Sequence, residues 1–127
     1  MKTPAASESE QLHRALFEGA PVAVIVRALD VRGLFECNEA ALRLYGASSR
    51  AQLEGADPAQ DLAPERQPDG TSSRVAMERH VAHAVERGTT RFEWRARRLD
   101  GTEFTADVRV AVLEIGDGRR AVQLVVD

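Results

Sequence analysis

Cysteine is nearly missing from this chain. Cys37 is the only one, so no internal disulfide can form and the fold must be held by its core alone. A lone thiol also fits a reducing compartment, and the cytoplasm is the expected location. A basic excess is missing too: the formal net charge is −3, with both signs spread along the chain, which removes the basic face that nucleic-acid binding needs. The local cluster Arg91, Arg95, Arg97 and Arg98 is offset by Glu93, Asp100, Glu103 and Asp107, as on a solvated sheet edge. No apolar run approaches the roughly 20 residues that span a bilayer, and the start MKTPAASESE lacks the apolar centre of a signal peptide, so no membrane contact is expected of this segment. Neither a nucleophile with a base and an orienting group at catalytic spacing nor a glycine-rich phosphate loop is present. A catalytic role is therefore not expected.

What is present is an alternating stretch from Thr89 to Val112. Phe92, Trp94 and Ala96 alternate with Arg91, Glu93, Arg95 and Arg97, which makes a half-buried strand. After Asp100-Gly101, a pair suited to a tight turn, the alternation resumes through Phe104, Ala106, Val108, Val110 and Val112. Such a hairpin buries too little surface to stand alone, so the remaining segments must supply further strands and a cover. The length, 127 residues, suits one domain.

In chain order, Met1 to Ala6 is small and polar and expected to be disordered. Ser7 and Glu10 form a capping box that opens a helix to about Phe17, with Leu12, Leu16 and Phe17 on one side. That stripe suits either a cover for the outer face of the sheet or a dimer contact. Val22 to Leu29 is a central strand. Val22, Val24 and Val26 are expected inward with Arg27 outward, because a buried guanidinium needs a partner; the other parity, with Ile25 and Arg27 inward, would create an anion site. A turn over Asp30 to Gly33 leads to a short strand, Leu34 to Cys37. Asn38 caps a helix Glu39 to Tyr45 that Gly46 stops, and Ser48 or Ser49 caps another through Leu53, closed by Gly55. Ala56 to Gly70 holds Pro58, Pro64 and Pro68 and is a loop with at most a turn near Asp61-Leu62. A helix begins at Thr71, Ser72 or Ser73 and ends at Arg87, burying Met77, Val81, Ala84 and Val85. The last strand, Arg119 to Val126, follows the Gly116-Asp117-Gly118 turn. It is apolar on both faces, so whether Gln123 faces inward stays open. The two central strands come from opposite ends of the chain, giving an α+β fold: one five-stranded antiparallel sheet with helices over one face.

This order, with Asn38-Glu39-Ala40-Ala41, Leu44-Tyr45-Gly46, Ser49 to Gly55, Asp61-Leu62-Ala63-Pro64, Gln67-Pro68-Asp69-Gly70, Phe92-Glu93-Trp94 and Arg98-Leu99-Asp100-Gly101, resembles the PAS (sensory box) family from about Leu12 to Asp127. The spacing of Asp30 to Gly33 from Asn38 departs from the usual Asp-x-x-Gly pattern. The resemblance implies a tail and flanking helix over 1–19 and a PAS domain over 20–127. It also implies a non-catalytic sensory module of a bacterial signalling protein, first among them a sensor histidine kinase, then a diguanylate cyclase or chemoreceptor. In such proteins a helical linker to an output domain follows, and the chain stops at Asp127 where that linker motif would begin. The partners so implied are the output domain, a second copy in a homodimer, and a small-molecule ligand.

The same resemblance frames the candidate site. Phe92, Trp94, Ala106, Val108, Val110, Met77, Val81 and Gln123 are its expected ligand-pocket residues, Gln123 because that position faces the cofactor in flavin-binding relatives. Leu12, Leu16 and Phe17 are the expected dimer contacts. No cofactor is implied: light-sensing relatives carry a reactive cysteine after the second short helix, where this chain has Gly55-Ala56-Asp57-Pro58, and Cys37 is expected to be a small core residue. Haem-bearing relatives use a histidine on the long helix, for which His80 is the candidate and His83 lies further round; no metal site is expected from the pair. Trp94 is expected in the core. The competing reading is a ligand-free protein interaction module with a filled core, and a more distant one is a small α+β enzyme with an acid or base in its pocket.

Overall fold

The computed structural model describes residues 4–29, 35–115 and 118–127. Its elements are α1 (Pro4–Gly19), β1 (Ala23–Ala28), β2 (Phe35–Cys37), α2 (Glu39–Tyr45), α3 (Arg50–Glu54), α4 (Ser73–Arg87), β3 (Thr89–Arg97), β4 (Glu103–Ile115) and β5 (Gly118–Val126). The strands make one antiparallel sheet in the order β2-β1-β5-β4-β3, so the first and last strands pair in its interior, as expected. Side chains of α2, α3 and α4, among them Leu42, Leu53, Met77 and Ala84, share one core with Ile25, Trp94, Val108 and Val125 of the sheet.

Local chemistry accounts for the helix ends. Asn38 caps α2 by accepting from the Ala41 amide, and Gly46 closes it at φ 72°, a left-handed conformation that glycine adopts without a Cβ penalty. Ser49 caps α3 through the Gln52 amide, and Ser72 caps α4 through the Val75 amide. The hairpin between β3 and β4 turns on Gly101, at φ 92°, while Asp100 keeps a negative φ and accepts from the Thr102 amide and hydroxyl. Asp100 therefore acts as a side-chain acceptor in the turn, and only its neighbour needs glycine.

Four expectations are corrected. The first helix begins at Pro4, so Ser7 lies inside it and Pro4 to Ala6 are helical; proline is tolerated in a first turn, where its missing N–H has no partner to lose. Leu12 and Leu16 of that helix are exposed, at 58% and 63%, and so cover nothing on the sheet. On β1 it is Ala23 and Ile25 that are buried, with Val24 and Val26 half-buried on the other face. The register explains this: Ala23 and Ile25 stand opposite Val125 and Gln123, both of which face the helices. Arg27 shares that face near the end of the strand, half-buried, so its head group needs no buried partner. Finally, Val85 is exposed, because Ala84 takes the contact with the sheet and the next residue lies about 100° further round the helix. The expected turn Asp30 to Gly33, Leu34, Met1 to Thr3, and Gly116-Asp117 lie outside the described residues.

Candidate functional site

The core face of the sheet can be followed in rows across the strands. One row runs Val110, Gln123, Ile25, Cys37; the next runs Phe92, Val108, Val125, Ala23; Trp94 and Ala106 form a third. All these side chains are buried. From above, α4 lays Met77 into the same core, with Val81 packed half-buried against it. The expected pocket residues Phe92, Trp94, Ala106, Val108, Val110, Met77, Val81 and Gln123 therefore converge on one region between α4 and the sheet. Leu12, Leu16 and Phe17 stand apart from it on α1, Phe17 half-buried.

Gln123 is the chemically distinct member of this group. It faces the core at 2% exposure, and its Nε2 has no hydrogen-bond partner among the described residues. A buried amide donor left without an acceptor costs about 1 to 3 kcal/mol. Two residues along the same row, Cys37 is fully enclosed; burial, aided by the charge of Glu54, pushes its thiol up to about 11, so it is protonated at neutral pH and has little nucleophilic character. Burial likewise raises the Tyr45 phenol above its ordinary value.

His80, on α4, lies against two of the expected pocket residues, Phe92 and Trp94. Its ring stacks on Phe92 with centroids 3.6 Å apart and planes 1° from parallel, and Trp94 meets both rings edge-on at 6.2 and 5.9 Å. Burial, followed by the neighbouring His83, holds the imidazole below its ordinary 6.5, while Asp69 acts weakly in the opposite sense. The sign of the stability effect follows. An unfolded chain takes up the His80 proton first as pH falls through 6.5, so this stack supports the fold fully above that value and less below it, by at most about 1.4 kcal/mol per pH unit for one proton. Urea midpoints at pH 7.5 and pH 5 are expected to differ more in the wild type than in His80→Gln. Equal differences in the two would show that the stack carries no proton linkage. His83 is exposed and, apart from its effect on His80, plays no part in the site.

Two positioning residues were missed as such by the sequence. Gln67, known there only as a landmark in a proline-rich loop, acts as a short surrogate strand at the sheet edge. Its Oε1 accepts from the Arg95 amide at 2.9 Å, and its Nε2 donates to the Arg95 carbonyl at 3.0 Å and to Ser73 Oγ at 2.9 Å. With the Arg97 amide donating to the Leu62 carbonyl, this pins loop 62–73 and the start of α4 to β3. Arg98 is the other: it donates to the Leu44 carbonyl, pairs with Asp127 and sits 4.4 Å over the Phe104 ring. Only long-range pairing reveals either role.

Two open clefts lie on the surface, away from Gln123. One, about 610 Å³, is flanked by Arg91, Glu93 and Asp107; the other, about 430 Å³, lies between the start of β1, α2 and the end of β5. Among the described residues no group of three or more His, Cys, Asp or Glu side chains could hold a metal ion, and no helix is long and apolar enough to cross a membrane.

A family model described as PAS domain matches residues 11–79, more than half of the chain. No curated protein matches significantly. Solved structures of similar fold include a PAS domain from a two-component sensor histidine kinase, at 20% identity and TM-score 0.72 over 94% of this chain and 96% of that one. A domain of a sensory box sensor histidine kinase/response regulator from Geobacter sulfurreducens is similar at 19% identity and TM-score 0.67, covering 96% of each chain. A third is the PAS domain, in complex with ethanol, of a LuxR-family transcriptional regulator from Burkholderia thailandensis, at 18% identity and TM-score 0.67 over 88% of this chain and 94% of that one.

Proposed function

This chain belongs to the PAS domain family, and from that premise we propose that residues 20–127 are the ligand-sensing module of a larger cytoplasmic bacterial protein, a sensor histidine kinase, with 1–19 as its tail and flanking helix. PAS domains are in general non-catalytic sensory modules, and several of the solved structures of this fold come from sensor histidine kinases. The ethanol complex of one relative is an instance of a small polar molecule held by a domain of this fold. The observation that carries the reading for this chain is the unpartnered Gln123 Nε2. A small molecule with one acceptor atom and a compact apolar body would satisfy that donor against Val110 and Ile25. Binding then favours one packing of α4 on the sheet, and the shift in population passes along β5 to the outgoing chain.

The test uses the protein as purified. Mass spectrometry after denaturation is expected to release a bound small molecule, and Gln123→Leu, which removes the donor and keeps the bulk, is expected to lose it while folding at least as stably, by up to about 1 to 3 kcal/mol. A preparation without any bound molecule, in which Gln123→Leu is merely more stable, would leave the ligand-free interaction module as the better reading. The absorption spectrum of the same sample addresses haem, since a Soret band lost in His80→Ala would make His80 an axial ligand.

Self-association is the second part of the reading, supported by the exposed Leu12 and Leu16 on α1. Two leucines on one helical stripe, both in water, are the residues that a homodimer would cover. Sedimentation of Leu16→Glu is expected to give a monomer where the wild type gives a dimer, with unchanged thermal stability of the core. An unchanged mass would remove α1 from the interface.

A further inference from the structure

The alternation of β1 leaves Arg27 on the same face as Ile25, the face that packs against the helices. The register then fixes its neighbours. Ile25 stands opposite Gln123 and Arg27 opposite Ala121, so Arg27 and Gln123 are diagonal neighbours on adjacent strands, about 7 to 8 Å apart. Ile25 and Ala121, which complete this corner of the sheet, are apolar and buried, and an alanine opposite Arg27 keeps bulk from β5 out of it. Arg27 itself is half-buried and makes no ion pair and no side-chain hydrogen bond among the described residues. Gln123 Nε2, across the diagonal, is a buried donor that also lacks an acceptor. A guanidinium and an amide nitrogen only donate, so the corner holds two donors that no described residue answers. Arg119, the next residue on that face of β5, is exposed and already has a partner. One cation is left uncompensated.

We propose that the ligand of the core site is a small monocarboxylate with a second, neutral acceptor such as a ketone oxygen, its carboxylate held by Arg27 and the neutral acceptor by Gln123 Nε2. This rests on the reading of Gln123 as a ligand contact, and adds to it the ligand's charge and orientation. Arg27 is the more exposed of the two donors and lies toward the end of its strand, so the charged end of the ligand stays near water while the neutral end enters the core. The reverse order would take a carboxylate fully out of water, at far greater cost. One uncompensated cation suits one negative charge, and a planar guanidinium can hold both oxygens of a carboxylate. The diagonal spacing suits a chain of a few carbons between the two ends, lying over Ile25 and Ala121.

The experiment is an amide NMR titration of the full chain with 4-oxopentanoate, which carries a carboxylate and a ketone on one short chain. Pentan-2-one keeps the ketone alone, pentanoate keeps the carboxylate alone, and inorganic phosphate is an anion of another geometry. 4-Oxopentanoate is expected to give saturable shifts at Ile25, Arg27, Ala121 and Gln123, and to bind about tenfold tighter than any of the three controls. Arg27→Gln, at a position without a structural partner, is expected to leave the urea midpoint unchanged, to weaken 4-oxopentanoate about tenfold and to leave pentan-2-one as it was. Arg27→Lys, which keeps the charge and loses the planar fork, is expected to fall between. Gln123→Leu is expected to remove the preference over pentanoate. Binding lost in Gln123→Leu but unchanged in Arg27→Gln would overturn the carboxylate and leave Gln123 as the contact of a neutral ligand. Binding that needs Arg27 and not Gln123, or neither, would overturn the two-point site together with the ligand reading of Gln123. Pentan-2-one or phosphate binding as tightly as 4-oxopentanoate, or no saturable shift at millimolar 4-oxopentanoate, would also overturn the proposal.

Discussion

Asn38→Ala is expected to destabilise the fold by about 3 kcal/mol, the loss of a helix cap plus that of buried hydrogen bonds left unmade. Asn38 is fully enclosed and uses both ends of its amide. Its Oδ1 accepts from the Ala41 amide at 3.1 Å, which caps α2, and from the Val24 amide at 2.9 Å on β1. Its Nδ2 donates to the Phe17 carbonyl at 2.9 Å and the Val22 carbonyl at 3.0 Å, on either side of the joint between α1 and β1. Ala41 keeps a bond to the Asn38 main-chain carbonyl in the variant, so the cap is only half lost. The Val24 amide and the two carbonyls keep nothing in its place. Asn38→Asp separates the two roles: a carboxylate still caps α2 but faces the carbonyls of Phe17 and Val22 as a second acceptor, so an intermediate loss is expected. The measurement is the urea midpoint of each variant, with hydrogen exchange at Val24 as the local readout. Exchange should quicken there before it does in the α4 core. A midpoint within 0.5 kcal/mol of wild type for Asn38→Ala would show that water replaces the side chain at no net loss. In either variant α1 keeps a second tie, since Arg50 of α3 pairs with Glu18 at 2.6 Å and donates to the Cys37 carbonyl.

Asn38 also shows where sequence reasoning stops. Its cap on α2 was legible, since an Asn before a short amphipathic run has a local signature. Its hold on residues 16 and 21 positions earlier was not, because nothing in the spacing marks those carbonyls. The hairpin is the opposite case. Phe92, Trp94 and Ala96 alternate with charges, so one face had to be the buried one, and the structure buries all three. In β1 both faces are apolar, so the pattern carries no preference, and the parity is set by pairing with a strand about 100 residues away, which seats Ile25 opposite Gln123. The inward turn of Gln123 is the same fact seen from the other strand. Gln67 was hidden for a related reason: a side chain that stands in for a strand, 28 residues from the backbone it pairs with, leaves only a loop signature in the sequence. The candidate site was thus legible where periodicity carries it, in Phe92, Trp94, Val108 and Met77, and hidden where long-range register decides what faces inward.

Trp94→Ala is expected to have the largest effect of any core substitution, about 3 to 5 kcal/mol, enough to unfold a domain of ordinary stability. The indole is 3% exposed and stands opposite Ala106, so β4 offers no large side chain to fill the space it would leave. It also holds two rings in place. Phe92 and His80 stack on each other and both present to Trp94 at nearly a right angle, 81° and 82°, an arrangement in which a ring edge meets a ring face. Removing the indole therefore takes away a wall that fixes the His80–Phe92 stack, and with it part of the seat of α4 on β3. Trp94→Phe keeps a ring edge in the same place and is expected to lose only about 1 to 2 kcal/mol, from the smaller volume. Because Trp94 is the only tryptophan, its fluorescence reports this region alone. In the folded wild type the emission should be blue-shifted, should move to longer wavelength in one step with urea, and should coincide with the loss of helical circular dichroism. Emission that shifts first, while the helices persist, would mean that α4 lifts from β3 as a separate unit, and that the core around Phe92 and Gln123 opens before the sheet does.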